Sequence, residues 1–230
     1  MNGTWILILL ILTAALPAII VFFWFRARKS GVTLPWFLAS LAAGIFSLLI
    51  VALIQRLFFP PGRDGAGGLG SIFFAIFIRI ALVEEASRLV TLIPLIKAGN
   101  RRRTMDRTFG AALGLAAGLG FAMIENASYG IADINIALLR VFTAAPLHGA
   151  CGIRAGVSVS IFKQRPVKAL FLFISAVIIH GAYNLMIVSP AIPSVLAVLV
   201  AFAALFASLF YIRDSEIDNE NVIPPKAPGP

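Results

Sequence analysis

Residues 34–57 read LPWFLASLAAGIFSLLIVALIQRL, a run of apolar and small residues in which the one charged residue, Arg56, stands next to the end. An α-helix needs about 20 consecutive, mostly apolar residues to cross a hydrocarbon core about 30 Å thick. The stretch therefore predicts a transmembrane helix, and this prediction decides the fold class.

Six further apolar stretches flank it, and hydropathy predicts a transmembrane helix for each. The seven stretches are 4–25, 34–57, 71–96, 108–128, 136–161, 169–189 and 192–212. The expected fold is an all-α, polytopic membrane bundle of about seven helices, with residues 1–213 as one transmembrane domain. Residues 214–230 mix acidic residues with prolines, and a short disordered cytoplasmic tail is expected there.

The overall composition agrees with a membrane protein. Of the 230 residues, 60% are hydrophobic and 13% are charged, whereas soluble domains carry about 25% charged residues. A soluble globular fold is therefore excluded. The single cysteine, Cys151, excludes an internal disulfide and a four-cysteine metal site.

The net charge of +9 reflects membrane orientation rather than nucleic-acid binding. Basic residues concentrate in every second connection: Arg26, Arg28 and Lys29; Lys97, Arg101, Arg102, Arg103 and Arg107; Lys163, Arg165 and Lys168; and Arg213. By the positive-inside rule, the amino terminus is expected outside and the carboxyl terminus inside. A multi-pass protein of a bacterial inner or plasma membrane is predicted.

The third stretch, 71–96, carries four charges that are costly in lipid. They are Arg79, Glu84, Glu85 and Arg88, and each costs about 2.5–3.5 kcal/mol at a helix centre. Arg88 can pair with either glutamate on one helix face, but one arginine neutralises only one acid. Because ionisable residues inside a span are usually functional, the glutamate pair predicts a site.

Both histidines of the chain fall at nearly the same membrane depth as this pair. At 1.5 Å per residue from the outer edge, Glu84 and Glu85 lie about 20 Å deep, His148 about 18 Å and His180 about 14 Å. Asn184 lies about 8 Å deep on the same count. Three predicted helices therefore bring carboxylates and imidazoles to one level.

A second polar layer is expected nearer the outer face. Glu125, Asn126, Arg79 and Arg140 lie at about 3–12 Å on the same scale. The favoured interpretation of this layer is a structural ion pair between glutamate and arginine.

Two other features of the stretches have structural interpretations. Gly110, Gly114 and Gly118 recur every four residues, a spacing typical of a tight helix-packing face. Cys151 stands one turn from His148, but a small apolar cysteine in a span is ordinary, and a nucleophilic role is not favoured.

Four motifs follow one another on successive predicted helices. They are Glu84-Glu85-Ala-Ser-Arg88; Gly120-Phe121-Ala-Met-Ile-Glu125-Asn126; Arg140 with His148 eight residues later; and His180-Gly-Ala-Tyr-Asn184. In this order they resemble the motifs of the PrsW family of intramembrane proteases, related to the CAAX prenyl endopeptidase and bacteriocin-processing (Abi) group. The resemblance runs from about residue 72 to residue 184.

The resemblance implies a function and a substrate class. The CAAX-type second motif has phenylalanine four residues before its histidine, where this chain has Ala144, which favours the PrsW branch. PrsW-like proteins are implied to cut membrane-anchored anti-sigma factors outside the cytoplasmic leaflet, as site-1 cleavage in regulated proteolysis. The expected partners are such a protein substrate and the lipid bilayer.

Each candidate residue can have a role in peptide hydrolysis. Glu84, sheltered from bulk water, is the expected general base, and His148 is expected to help hold and deprotonate the water. His180 and Asn184, four residues apart on one face, can donate to the oxyanion. Glu85 with Arg88 would orient the base, and the two glutamates can exchange roles because adjacent helix positions point about 100° apart.

Three alternatives stay open. No cofactor is favoured, but Glu84, His148 and His180 can also serve as three zinc ligands with an open fourth position. The chain lacks the diagnostic His-Glu-x-x-His sequence. A proton-coupled transporter would also place Glu, His and Arg at mid-membrane, although no internal repeat is visible. A non-catalytic membrane scaffold would not require matched Glu and His depths.

Overall fold

The computed structural model describes residues 3–27, 31–60, 68–100, 107–132 and 134–220, and within these residues the chain is helical with no strand. The helices are α1 (Gly3–Ala27), α2 (Leu34–Phe58), α3 (Leu69–Phe73), α4 (Val83–Asn100), α5 (Arg107–Ala132), α6 (Ile134–Ile161), α7 (Pro166–Val188) and α8 (Ser194–Glu220). A π-helical segment, Phe74–Leu82, joins α3 to α4 without a break. The predicted all-α fold is confirmed.

Because α3, the π-helical segment and α4 are continuous, the described chain contains seven helical rods, one for each predicted stretch. Within the part of the chain that the structure describes, four helical ranges are long and apolar enough to cross a membrane: Leu34–Phe58, Arg107–Ile131, Pro166–Val188 and Ser194–Ile212. Seven spans, and the orientation of the termini, stay predictions. The helix α8 continues to Glu220, so residues 214–220 of the predicted tail are helical, and 221–230 lie outside the described residues.

The centre of the bundle is the contact between α5 and α6, which pack backbone to backbone. A Cβ atom added at Gly114 would lie 2.0 Å from the carbonyl oxygen of Gly152, and one at Gly118 would lie 2.1 Å from that of His148. No side chain fits in these gaps. The spacing of small residues along α5 therefore does form a packing face, as the sequence predicted, and it fixes the height of His148 against α5.

The helix α2 packs against another side of α5 in the same manner. A Cβ atom at Gly44 would lie 1.9 Å from the carbonyl oxygen of Ala117, and one at Gly120 would lie 2.2 Å from that of Leu41. Such close approach keeps α5 buried along most of its length. Near the carboxyl-terminal end of α5, Asn126 is buried and Glu125 is half-buried, whereas Tyr129 is exposed.

The π-helical segment ends at Leu82, two residues before Glu84, and was not predicted from the sequence. Side-chain contacts with α2 hold it: Gln55 Nε2 donates to the backbone carbonyl of Arg79 at 2.5 Å, and Arg79 Nε donates to Gln55 Oε1 at 3.0 Å. Arg79 also donates to the carbonyl of Phe59 at 3.2 Å. Wide helical turns of this kind occur frequently at functional sites.

Candidate active site

Glu84 and Glu85 stand in the first turn of α4, where the π-helical segment ends. Glu85 and Arg88 are fully buried, and Arg88 Nη1 lies 2.5 Å from Glu85 Oε2. Of the two acids that Arg88 can reach, the structure pairs it with Glu85. A buried carboxylate is thereby neutralised by a guanidinium on the same helix, which lowers the cost of burying both charges.

His180 of α7 lies between the two glutamates. Its Nδ1 is 2.8 Å from Glu85 Oε1, and its Nε2 is 3.6 Å from Glu84 Oε2. The second distance is too long for a hydrogen bond, and Glu84 Oε2 is buried with no hydrogen-bond partner among the described residues. In the neutral ring, donation from Nδ1 to Glu85 leaves the Nε2 lone pair facing that oxygen, so one acceptor faces another.

His148 of α6 has a partner at each ring nitrogen. Arg88 Nη2 lies 3.2 Å from Nδ1, and Glu125 Oε2 lies 2.7 Å from Nε2. Because a guanidinium can only donate, Nδ1 accepts, and Nε2 carries the hydrogen donated to Glu125. The rings of His148 and His180 are perpendicular, with centroids 5.1 Å apart.

Three residues of the predicted second layer, Glu125, Asn126 and Arg140, join this cluster. The fourth, Arg79, contacts Gln55 of α2 instead. Arg140 Nη2 lies 2.7 Å from Glu125 Oε2, and Arg140 Nε donates to Asn126 Oδ1 at 3.1 Å. The expected ion pair between glutamate and arginine is present. What the sequence reasoning missed is the bond from Glu125 to His148, which makes the two layers one network.

Asn184 is separate from these contacts. Its side chain is half-buried and makes no hydrogen bond with any residue that the structure describes. The residue before it, Tyr183, donates from its hydroxyl to Thr143 Oγ1 at 3.0 Å. Cys151 is buried, with Sγ 3.6 Å from the carbonyl oxygen of Ala176, in agreement with a packing role.

The charges of the cluster do not cancel. Its carboxylates are Glu84, Glu85 and Glu125, and its guanidiniums are Arg88 and Arg140. With both histidines neutral, three negative charges meet two positive ones. One additional proton or a bound cation would balance the buried network.

A metal ion fits part of this arrangement well. Glu84, His148 and His180 each offer one ligand atom, and these atoms lie within 4.8 Å of one another. Each histidine also has one nitrogen bonded to a carboxylate, Glu85 or Glu125, as metal-binding histidines commonly do. The donor set and the unpartnered Glu84 oxygen fit zinc, provided that His148 Nδ1 gives up its hydrogen bond with Arg88.

The chain is thus a multi-pass membrane protein whose helices enclose a network of carboxylates, histidines and arginines. Residues 32–210 match the family model described as PrsW family intramembrane metalloprotease. Because the match covers well over half of the chain and every residue of the cluster, the chain belongs to this family and is an intramembrane protease. Searches of curated proteins and of solved structures found no match. The predicted family is confirmed, and the relation to the CAAX and Abi group stays a prediction.

Proposed function

We propose that this protease hydrolyses a peptide bond of a membrane-anchored protein by means of a water molecule activated by Glu84. The observation that carries the proposal is the unpartnered Glu84 Oε2, buried 3.6 Å from His180 Nε2. A water molecule that donates one hydrogen to each atom would satisfy both acceptors. The same water would then stand beside a carboxylate base, sheltered from the lipid.

The contacts support distinct roles for the surrounding residues. Glu84 takes a proton from the water as oxygen attacks the carbonyl carbon, and returns that proton to the leaving amine. His180 holds the water, while Glu85 fixes the His180 ring through Nδ1. Asn184, one turn after His180 on α7 and without a hydrogen bond to the described residues, is available to donate to the oxyanion.

Arg88 and His148 act as positioning residues in this proposal. Arg88 contacts both Glu85 and His148, so it couples the orientation of one histidine to the other. The sequence favoured His148 as the partner of Glu84 in water activation. We now assign that role to His180, because both nitrogens of His148 are already engaged.

We further propose that the substrate is a membrane-anchored regulatory protein such as an anti-sigma factor, cut from the outer side. This proposal draws on the family membership and on the exposure of the cluster. The side chains of Glu84, Glu125 and Arg140 are 12%, 19% and 14% exposed. Glu125 and Arg140 stand toward the α5–α6 connection, which is the predicted outer end of the bundle.

A zinc-dependent reaction is the second candidate. It is favoured by the three ligand atoms within 4.8 Å and by the description of the family as metalloproteases. Glu84, His148 and His180 would hold the ion, and Glu85 and Glu125 would fix the two rings. Zinc bound there would supply a Lewis acid to polarise the substrate carbonyl.

The test of the proposal is Glu84→Gln, which keeps the shape of the side chain and removes the base. We expect cleavage of a tagged single-span substrate in liposomes to fall by about 100-fold or more, since the base acts directly on the water. Glu216→Gln, the same change in the predicted tail, should leave cleavage unchanged. Unchanged cleavage by correctly folded Glu84→Gln protein would refute the proposed role of Glu84.

A further inference from the structure

Arg154 of α6 is a charged residue inside the bundle that has no carboxylate partner among the described residues. Its Nε donates to Ser208 Oγ of α8 at 3.1 Å, and its Nη1 donates to Ser175 Oγ of α7 at 2.8 Å. Both partners are neutral. A guanidinium in a membrane-spanning bundle is costly without a negative charge nearby, so its position calls for an anion from outside the chain.

The guanidinium is available to such an anion. It carries five N–H donors, and the two serines use two of them. Nη2 makes no hydrogen bond with a described residue, and the side chain is half-buried rather than enclosed. The serines therefore fix the orientation of the group while they leave one edge of it free.

The position of Arg154 along α6 brings it close to the lipid headgroups. The 28 residues of α6 span about 42 Å, some 12 Å more than a hydrocarbon core of about 30 Å. Arg154 is seven residues from the end of α6 at Ile161, or about 10 Å along the axis. If the excess length is shared between both ends, its Cα atom lies about 4 Å inside the edge of the core, within reach of a phosphate.

A groove lies at the start of α7, the helix that also carries Ser175. It is lined by Arg165, Pro166, Val167, Lys168 and Phe171. Lys168, Phe171 and Ser175 follow one another at spacings of three and four residues, so they share one face of α7. Because Ser175 contacts Arg154, this face of α7 runs from an exposed cation and an exposed aromatic ring at the groove to the serine that holds the guanidinium.

We propose that Arg154 and Lys168 bind the phosphate group of an anionic glycerophospholipid, whose acyl chain lies along Phe171. The apolar wall of the groove favours a lipid over a free anion, because Phe171 is 69% exposed and needs an apolar neighbour. Basic pockets between helices at a membrane edge are known to take such headgroups. The site is separate from the catalytic cluster, and this proposal does not depend on the proposed reaction.

The experiment measures lipid retention by the purified full chain with native mass spectrometry. The probes are phosphatidylglycerol and phosphatidylcholine with the same acyl chains. We expect the wild-type chain to retain phosphatidylglycerol in preference to phosphatidylcholine. Arg154→Gln should reduce the retention of phosphatidylglycerol by at least about fivefold, since one cation near the membrane surface contributes about 1 kcal/mol. Lys163→Gln, which removes an exposed charge at the same end but outside the groove, should retain as much as wild type.

Two further variants are controls that distinguish loss of lipid binding from misfolding. Lys168→Gln leaves the serine contacts of Arg154 intact and should still lose phosphatidylglycerol, whereas Arg154→Lys keeps the charge and should retain more than Arg154→Gln. Equal retention of both lipids by the wild-type chain would overturn the proposal, as would equal losses in Lys163→Gln and Lys168→Gln. Displacement of phosphatidylglycerol by millimolar inorganic phosphate, or by a peptide carrying acidic residues, would also overturn it in favour of a different anion.

Discussion

His148 donates from Nε2 to Glu125 Oε2 across 2.7 Å, a contact that joins α6 to α5 beside the proposed catalytic water. Glu125 is also paired with Arg140 at 2.7 Å, so its carboxylate is held from a second side. One acid thus fixes which nitrogen of His148 carries the hydrogen. In the proposed mechanism, this relationship makes Glu125 a positioning residue.

Replacement of Glu125 should therefore reduce activity without removing the base. We expect Glu125→Leu to lower kcat by about 10–100-fold, the range seen when a carboxylate behind a functional histidine is lost. Glu125→Gln keeps an oxygen that can accept from Nε2 and should be affected less. Kinetics on a tagged substrate would measure this difference, and equal kcat values in Glu125→Leu and wild type would argue against the role.

Glu85 and Glu84 should differ in their effects on stability. Glu85 is fully buried against Arg88, and removal of one partner of a buried ion pair costs about 3–5 kcal/mol because the other charge is left unpaired. We expect Glu85→Gln to lower the melting temperature strongly, whereas Glu84→Gln lowers activity with little effect on melting.

The double variant Glu85→Gln with Arg88→Gln provides the control for this prediction. It removes both charges together, so it should melt above the single variant Glu85→Gln. Equal melting temperatures of the single and double variants would indicate that the ion pair contributes little.

Metal removal separates the two candidate mechanisms. If Glu84 activates water directly, protein treated with a chelator and checked for residual metal should keep its activity within about twofold, since no step then requires an ion. The measurement is cleavage together with elemental analysis. Loss of activity that zinc restores would establish the zinc candidate instead.

The contact between α5 and α6 predicts a strong position dependence for glycine substitutions. Gly118→Ala would push its Cβ atom against the carbonyl of His148, and overpacking of this kind costs about 1–3 kcal/mol. Gly70→Ala, whose Cβ atom would meet nothing within 4 Å, should melt like the wild type. Thermal unfolding of both variants in detergent tests this prediction, which equal melting temperatures would contradict.

The predicted orientation can be tested by cysteine labelling in a Cys151→Ala background. Tyr129 is 48% exposed at the predicted outer end of α5, so Tyr129→Cys should react with a membrane-impermeant thiol reagent added to intact cells. Arg102→Cys, in a basic connection predicted inside, should react only after the membrane is opened. The reverse pattern would invert the topology and the side from which the substrate is cut.

Much of the helical architecture could be predicted from the sequence because membrane helices run roughly along the bilayer normal. Apolar length therefore gave the helices, and residue counting placed Glu84, His148 and His180 at one level. Counting gives height but not rotation about the axis. Side-chain geometry was therefore needed to show which histidine nitrogen faces which carboxylate. It was also needed to show that Arg88 pairs with Glu85.

Glu125 shows why the predicted heights separated two residues that are in contact. Its counted depth differs from that of His148 by more than about 10 Å. Side chains on a helix lean toward its amino terminus, however, and α5 and α6 are antiparallel. Glu125 and His148 therefore lean toward each other, and two long side chains close the gap. The sequence signal for this contact was the tight glycine face, which brings the two helices close enough.

The backbone contact between α5 and α6 also determines how a substrate can enter. Because glycines form this contact, no side-chain rotamers can rearrange within it. The helices that carry Glu125 and His148 should therefore move as one rigid body. On the opposite side of the cluster, the Phe77 ring of the π-helical segment fills the space beside Gly181 of α7. A polypeptide that reaches Glu84 is thus expected to enter on that side, by rotation of an aromatic ring or displacement of α7, while half of the catalytic network keeps its geometry throughout the turnover.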